Sequence, residues 1–400
     1  MEHGICSLRN IEKLCRNDIR YMYLLDGMRP PSFVTFGNII RNELTDSIEQ
    51  IFLHVNTYIF EKNQVDLEHT YIDGTKIEAN ANRYTWIWKK SCTKNRDKVF
   101  KKISMLIEAM NQNVLSYFGV KLQKREEYAI DYVCELLEMY KKETALKESS
   151  FVSGCGHRKS IQQKQYQELQ RYLERLKTYA HHIEICGDER NSYSKTDHDA
   201  TFMRLKRDYM GNDQLLPAYN LQTVVCDEYI AAVDVKHYAS DMECFVPLME
   251  KFNEMYGHYP KYPVADAGYG SYNNYLYCEE HGMEKYMKFT MFKKETTDKK
   301  YHKDPYRAVN FGRDESGNPI CPNGKRFYFK GKRHVYKNKY GRTEELYECE
   351  SCDGCQHKKE CSSKASGNRT IRMNQELTAI HQEVIKNLET TQGSLLGMNR

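Results

Sequence analysis

Apolar and polar positions over the first 60 residues follow helical spacing. In SLRNIEKLCRNDIRYMYLL, Leu8, Ile11, Cys15, Ile19 and Met22 step by three and four, which predicts a helix. DGMRPP interrupts it, and SFVTFGNIIRNELTDSIEQIFLHVNTYIF resumes the pattern. Two short helices across a proline-containing turn suit a helix-turn-helix reader of DNA or a small helical packing unit, and the packing unit is the preferred reading. VDLEHTYIDGTKIEA, residues 65–79, reads as a strand. A helical segment then runs from Lys89 to about Thr196. Tyr166, Leu169, Leu173, Leu176, Ala180 and Ile183 form a narrow seam, and Ile130, Val133, Leu137 and Tyr140 form a second. Together they predict an antiparallel helical hairpin, joined by KESSFVSGCGHRKS.

Strand patterns return after residue 213. LPAYNLQTVVCDEYIAAVDVKHYASD gives two strands joined at Asp227–Glu228, and DMECFVPLMEKFNEMYG an amphipathic helix with Asp241 as its expected N-cap. YPVADAGYG is a short strand ending in glycines, SYNNYLYCEEHG a helix stopped by Gly282, and EKYMKFT a further strand. Strand–helix–strand units are parallel crossovers. The order therefore predicts an α/β fold: a mixed sheet with helices on its faces. A Cys-bearing, Gly-rich basic region (about 305–365) and a helical tail follow.

Charge changes this picture little. Lys and Arg number 60 against 55 Asp and Glu, so only local clustering of cations would mark a nucleic-acid face. No apolar run approaches the roughly 18 residues that span a bilayer, and MEHGICSLRN lacks the layout of a signal peptide. Both point to the cytoplasm with no membrane partner, where the 14 cysteines would be thiols or metal ligands.

Two acids stand out. Asp73, in YIDGTK, precedes a glycine inside an apolar run, and Asp266, in VADAGYGS, closes another. Taken singly, Asp-Gly is a hairpin-turn pair, and Asp266 is a loop residue near a helix start. Taken together, both lie at or near strand ends, where sites gather in open α/β sheets. Two carboxylates brought together there call for a cation, and Mg²⁺ (or Mn²⁺) commonly uses one or two carboxylates and substrate phosphate.

YIDGTKIEANANRYTWIWKK, DYMGNDQLLPAYNLQTVV and VADAGYGSYNNYLY resemble successive blocks of the bacterial insertion-sequence transposases of the Asp-Asp-Glu class. The resemblance covers nearly the whole chain. It implies a ribonuclease-H-like core with the first acid on the first strand and the second at the end of the fourth, hence Asp73 and Asp266 as catalytic metal ligands. It also implies cut-and-join chemistry on double-stranded DNA, at transposon ends and target, with a homodimer on DNA compatible with that activity. The expected parts are an N-terminal helical domain (1–64), the first core strand (65–88), a helical insertion (89–200), the rest of the core (201–304), a Cys-rich insertion (305–365) and a helical tail (366–400). The family's third acid is a glutamate on a helix beyond a run like TTQGSLLGMNR, and the sequence ends at Arg400. Glu376, Glu383 and Glu389 precede that block and are not assigned. The expectation is an incomplete, impaired copy. A DNA-binding remnant without chemistry and a metal-dependent nuclease of the same fold are the alternatives.

CESCDGCQHKKEC sets Cys349, Cys352, Cys355 and Cys361 in C-x2-C-x2-C-x5-C spacing. Four thiolates there would hold a structural Zn²⁺, with Cys321 and His357 as substitute ligands; free thiols on a Gly-rich flap are the equal alternative. WIWKKSCTKNRDKVFKK carries Lys89, Lys90, Lys94, Arg96, Lys98, Lys101 and Lys102 against one acid. Such interleaving of cations and aromatics suits a DNA backbone, with RLKRDY (204–209) adding charge; a solvated helix with buried tryptophans is the competing reading.

Overall fold

The computed structural model describes residues 7–153, 158–188, 190–205, 211, 214–336, 338–362 and 367–398. Helices α1 (Leu8–Asn17), α2 (Ile19–Leu24), α3 (Phe33–Asn38) and α4 (Ile48–Asn63) open the chain. The last of these belongs to the packing of the central sheet. Phe60 of α4 is buried in the main core, and Asn56 Nδ2 donates to the carbonyl of Ile230 at 3.0 Å.

The sheet is mixed. Strand β1 (His69–Glu78) is followed in the chain by the short pair β2 (Trp86–Trp88) and β3 (Ser192–Ser194), then by β4 (Thr201–Arg204), β5 (Leu215–Cys226), β6 (Tyr229–Lys236), β7 (Tyr262–Ala265) and β8 (Tyr286–Met287). β1 lies centrally, antiparallel to β5 and parallel to β7, which is in turn parallel to β8. The outer edge of β5 pairs with β6 along its C-terminal part and with β4 near its start. Asp227 and Glu228, both at positive φ (44° and 70°), make the tight turn from β5 to β6. Asp73–Gly74 makes no turn. The two residues sit inside β1 opposite Thr223 and Gln222.

Alternation along β5 buries Leu216, Ala218, Asn220, Gln222, Val224 and Cys226. The core beneath the sheet joins Ile72, Val224 and Ala265 to one face of α8 (Phe245–Tyr256), whose Phe245, Leu248, Met249 and Phe252 recur at helical spacing. Cys244 occupies the N-cap of α8. Asp241 instead opens a preceding short 3-10 turn, Asp241–Glu243, so the expected N-cap role is not the one it plays.

The segment inserted between β1 and β4 contains α5 (Lys89–Asn113), α6 (Ile130–Glu143) and α7 (Ile161–Cys186). α7 packs against both α5 and α6, so the expected hairpin becomes a three-helix unit around Ile103, Ile107, Met110, Val133 and Leu169. The β2–β3 ladder closes its base, pairing Trp86 with Ser194 and Trp88 with Ser192.

After β7, helix α9 (Tyr272–Glu280) is capped by Ser271, whose hydroxyl accepts from the Asn274 N–H at 3.1 Å. Beyond β8, α10 (Phe292–Thr297) and α11 (Lys299–His302) lead to a Cys-rich lobe. It holds a hairpin of β9 (Gly312–Arg313) and β10 (Pro319–Ile320), then β11 (Phe327–His334), β12 (Thr343–Cys349), α12 (Lys358–Cys361) and β13 (Thr370–Met373), with β12 between β11 and β13. The chain then returns to the main core through α13 (Gln375–Glu389), whose Ile380 and Val384 are buried there, and α14 (Thr391–Met398). Among the described residues no helix is long and apolar enough to cross a membrane.

Candidate active site

Parallel pairing of β1 with β7 sets Ile72 opposite Ala265, both buried in the core. Asp73 and Asp266 are each the next residue along, so nearly two hundred intervening positions separate an aspartate on β1 from one directly beyond the end of its neighbour β7. Asp73 is exposed and Asp266 half-buried. Each is oriented by its own backbone: Asp73 accepts from the Gly74 N–H at 2.9 Å, and Asp266 from the Gly268 N–H at 2.7 Å. The second contact folds the ADAG stretch tightly. A Cβ on Gly268 would stand 2.9 Å from Asp266 Oδ1 and 3.6 Å from Asp241 Oδ2.

Asp241 thus borders the same loop, a residue whose place here the sequence reading missed. A buried polar chain holds it. Tyr269 donates to Gln222 Oε1, Gln222 Nε2 donates to Asn220 Oδ1 at 2.8 Å, and Asn220 Nδ2 donates to Asp241 Oδ1 at 2.8 Å. Asn220 and Gln222 are fully buried, so satisfied hydrogen bonds are what make these polar side chains tolerable. Burial, then the charges of Asp241, Asp73 and Asp266, push the Tyr269 hydroxyl far above its ordinary pKa, so it remains a donor. The signal in the sequence was AYNLQTVV, which puts two amides at inward positions of an otherwise apolar strand.

Asp73 and Asp266 suit a hard divalent cation, which takes carboxylate oxygen and completes its shell with water and phosphate. Among the described residues no group of three or more His, Cys, Asp or Glu side chains is arranged to hold a metal ion, so the two aspartates would share the ion with water and substrate phosphate. Two of the acids left unassigned have other work. Glu376 accepts from the Tyr272 hydroxyl at 2.6 Å, and Glu383 pairs with the buried Lys285 at 2.9 Å, both fastening α13 to the core.

Two protein-family models match, each described as a transposase DDE domain, one over residues 190–348 and the other over residues 320–400. Their union reaches from residue 190 to the end of the chain, over half of it, and includes β5 to β8 with Asp266. The chain belongs to the DDE transposases. No curated protein and no solved structure matches it.

The basic segment of this transposase forms the start of α5. Lys90, Lys94, Lys98 and Lys101 fall on one exposed helical stripe, with exposed Lys102 beside it. Lys89 serves the fold: its ammonium donates to the Gly187 carbonyl and pairs with Asp188 at 3.4 Å, tying α5 to the end of α7. Arg96 pairs with Asp97 at 3.3 Å and covers the Phe100 ring. Trp86 packs on Phe202 with centroids 3.9 Å apart, while Trp88 is 40% exposed, so only the second tryptophan presents much ring to solvent. Of RLKRDY, residues 206–209 lie outside the described residues.

In the lobe, Cys321, Cys349, Cys352, Cys355 and Cys361 line one small cavity together with Lys325, Lys358 and Arg369. All five are free cysteines. Burial pushes the Cys349 thiol up to about 12. His357 is engaged with the Tyr306 hydroxyl at 2.9 Å and is not among the residues lining the cavity.

Proposed function

We propose that this transposase cuts and joins DNA strands at a divalent-cation centre carried by Asp73 and Asp266 in a ribonuclease-H-like core. The single observation behind this reading is the β1–β7 register, in which Ile72 and Ala265, the residues just before the two acids, lie opposite each other. The order β6-β5-β1-β7-β8, with β4 as an added sixth strand on β5, supports it, because among those five strands Asp73 lies on the first in the chain and Asp266 directly beyond the fourth.

Mg²⁺ or Mn²⁺, when bound, would supply an activated oxygen nucleophile and neutralise charge on the scissile phosphate. The protein's share is position. The Gly74 and Gly268 amides fix the carboxylate rotamers, and the Tyr269–Gln222–Asn220–Asp241 chain stiffens the ground between them. The lysine stripe on α5 holds duplex backbone through phosphate contacts that carry no sequence information.

Cleavage and strand transfer on insertion-sequence-end duplexes, in Mg²⁺ and in Mn²⁺, test the reading. Asp73→Asn and Asp266→Asn should each lower cleavage by about 100-fold or more, and calorimetric Mn²⁺ binding should weaken in parallel. Joined products separate transposition from plain nuclease cutting. Full cleavage by Asp266→Asn would overturn the assignment.

A further inference from the structure

We propose that the Cys-rich lobe is a zinc module whose ligands are Cys321, Cys352, Cys355 and Cys361, with Cys349 outside the coordination shell. This set differs from the four consecutive cysteines that spacing suggests, and the polarity of the hydrogen bonds around the sulfurs selects it.

The cavity that the five cysteines line measures about 20 Å³, room for little more than one water-sized sphere. A single ion fits there; an organic cofactor does not. Three of the sulfurs accept hydrogen bonds: Cys352 from the Arg369 backbone N–H at 3.3 Å, Cys355 from Asn323 Nδ2 at 3.6 Å, and Cys361 from Arg369 Nη1 at 2.7 Å. N–H groups aimed at sulfur are the outer shell of a metal-bound thiolate, orienting it and spreading its charge. Cys349 does the reverse. Its Sγ donates to the Ser351 carbonyl at 3.5 Å, its thiol is hydrogen-bonded to Cys352 as the protonated partner, and it is packed with Phe327, Tyr347 and Ile371 in the lobe's apolar core.

Cys321 supplies the fourth sulfur. It begins the C-P-N-G turn, closed by the Gly324 N–H on the Cys321 carbonyl at 2.8 Å, and Asn323 of that turn reaches Cys355. Cys352 and Cys355 form the C-x2-C pair usual in zinc knuckles. Four thiolates around Zn²⁺ carry a net charge of about −2, and Lys325, Lys358 and Arg369 on the cavity wall offset it. On binding, each ligand thiol releases its proton to solvent and the sulfur lone pair enters the Zn–S bond, with no change of oxidation state. No three of these sulfurs are at ligating positions in the structure, so ligation asks the four side chains to close on the ion across the cavity they line.

The test uses the whole chain, purified under reducing conditions and measured for zinc by mass spectrometry. About one zinc per chain is expected. Cobalt exchange should give the intense thiolate-to-metal absorption of a tetrahedral four-sulfur site. Cys349→Ala should keep both the stoichiometry and the cobalt spectrum. Cys321→Ser and Cys352→Ser should lose the metal or bind it far more weakly. If those variants do not fold, the Cys361→His protein serves instead: it should retain metal with a cobalt spectrum shifted toward three sulfurs. Wild-type protein without zinc that fails to take up cobalt would overturn the proposal. So would metal lost from Cys349→Ala but retained by Cys321→Ser, or disulfides among these cysteines after reducing purification.

Discussion

The aspartate edge of the sheet and the Cys-rich lobe hold their chemical groups in place by different means. At the sheet, position comes from register: an eight-residue antiparallel ladder between β1 and β5, a parallel ladder to β7, and a large core beneath them. Sliding one strand by one residue would turn every inward side chain outward, so the core itself guards the placement of Asp73 and Asp266. The lobe has far less to rely on. Its core is Phe311, Phe327, Tyr347, Cys349 and Ile371, and much of β11 is exposed. Units that bury so little generally need a disulfide or a metal. On the proposed assignments, catalytic geometry is entrusted to burial where the apolar area is large, whereas the small lobe would lean on a metal held by its sulfur atoms.

The sharpest way to break this comparison is at the acids. Asp266→Asn should cost about 100-fold or more in strand cleavage while leaving thermal unfolding nearly unmoved, since core burial sets the register. A large drop in melting temperature would mean that the carboxylate is part of the scaffold. With zinc in the lobe as proposed, a chelator should do the opposite: hydrogen exchange should rise across β11 to β13 and stay slow in β1 and β5. Uniform loosening of both regions would erase the distinction.

Gly74→Ala probes the buried chain between the regions' extremes. Its Cβ would stand 2.9 Å from the Tyr269 hydroxyl and closer still to the Gln222 amide, so a loss of about 1–3 kcal/mol is expected in denaturant titration. Replacing Lys90, Lys94, Lys98 and Lys101 by alanine should leave stability unchanged and flatten the salt dependence of DNA binding, by about 0.9 in logarithmic slope for each phosphate no longer neutralised. An unchanged slope would remove the stripe from the interface.

The smallest effect concerns acid pH. Burial, helped by Arg342 and opposed by Glu295, holds His381 below its ordinary 6.5, and the ring stacks on Phe289 at 3.9 Å. The unfolded chain therefore binds a proton at higher pH than the folded one. Stability is whole above pH 6.5 and declines as pH falls toward the folded value. His381→Phe should remove that part of the decline in thermal melts between neutral and mildly acidic pH.

Much of the fold was legible because its strands and helices carry clean periodicities: β5 and β6 with their turn at Asp227–Glu228, and the helix and strand preceding Asp266. What local reading missed was decided by distant partners. Asp73–Gly74, a turn pair when taken singly, sits within the strand read over 65–79, with β5 paired alongside it. Asp241 has the composition of a helix cap, yet Asn220, 21 residues away, claims its carboxylate. Lys89, grouped with the cations of the basic segment, also contacts Gly187 and Asp188 across the chain. Spacing groups Cys349 with Cys352, Cys355 and Cys361, and Cys321, distant in sequence, joins their cavity only once the hairpins of the lobe have formed.

The clasp between Trp86–Trp88 and Ser192–Ser194 has a further consequence. Because the Lys89 N–H donates to the Asn191 carbonyl at 2.9 Å, more than a hundred residues depart and return through one narrow doorway. The entropy of closing such a detour grows only logarithmically with its length. Evolution could therefore lengthen, shorten or exchange everything beyond the doorway while the strands behind it kept their alignment.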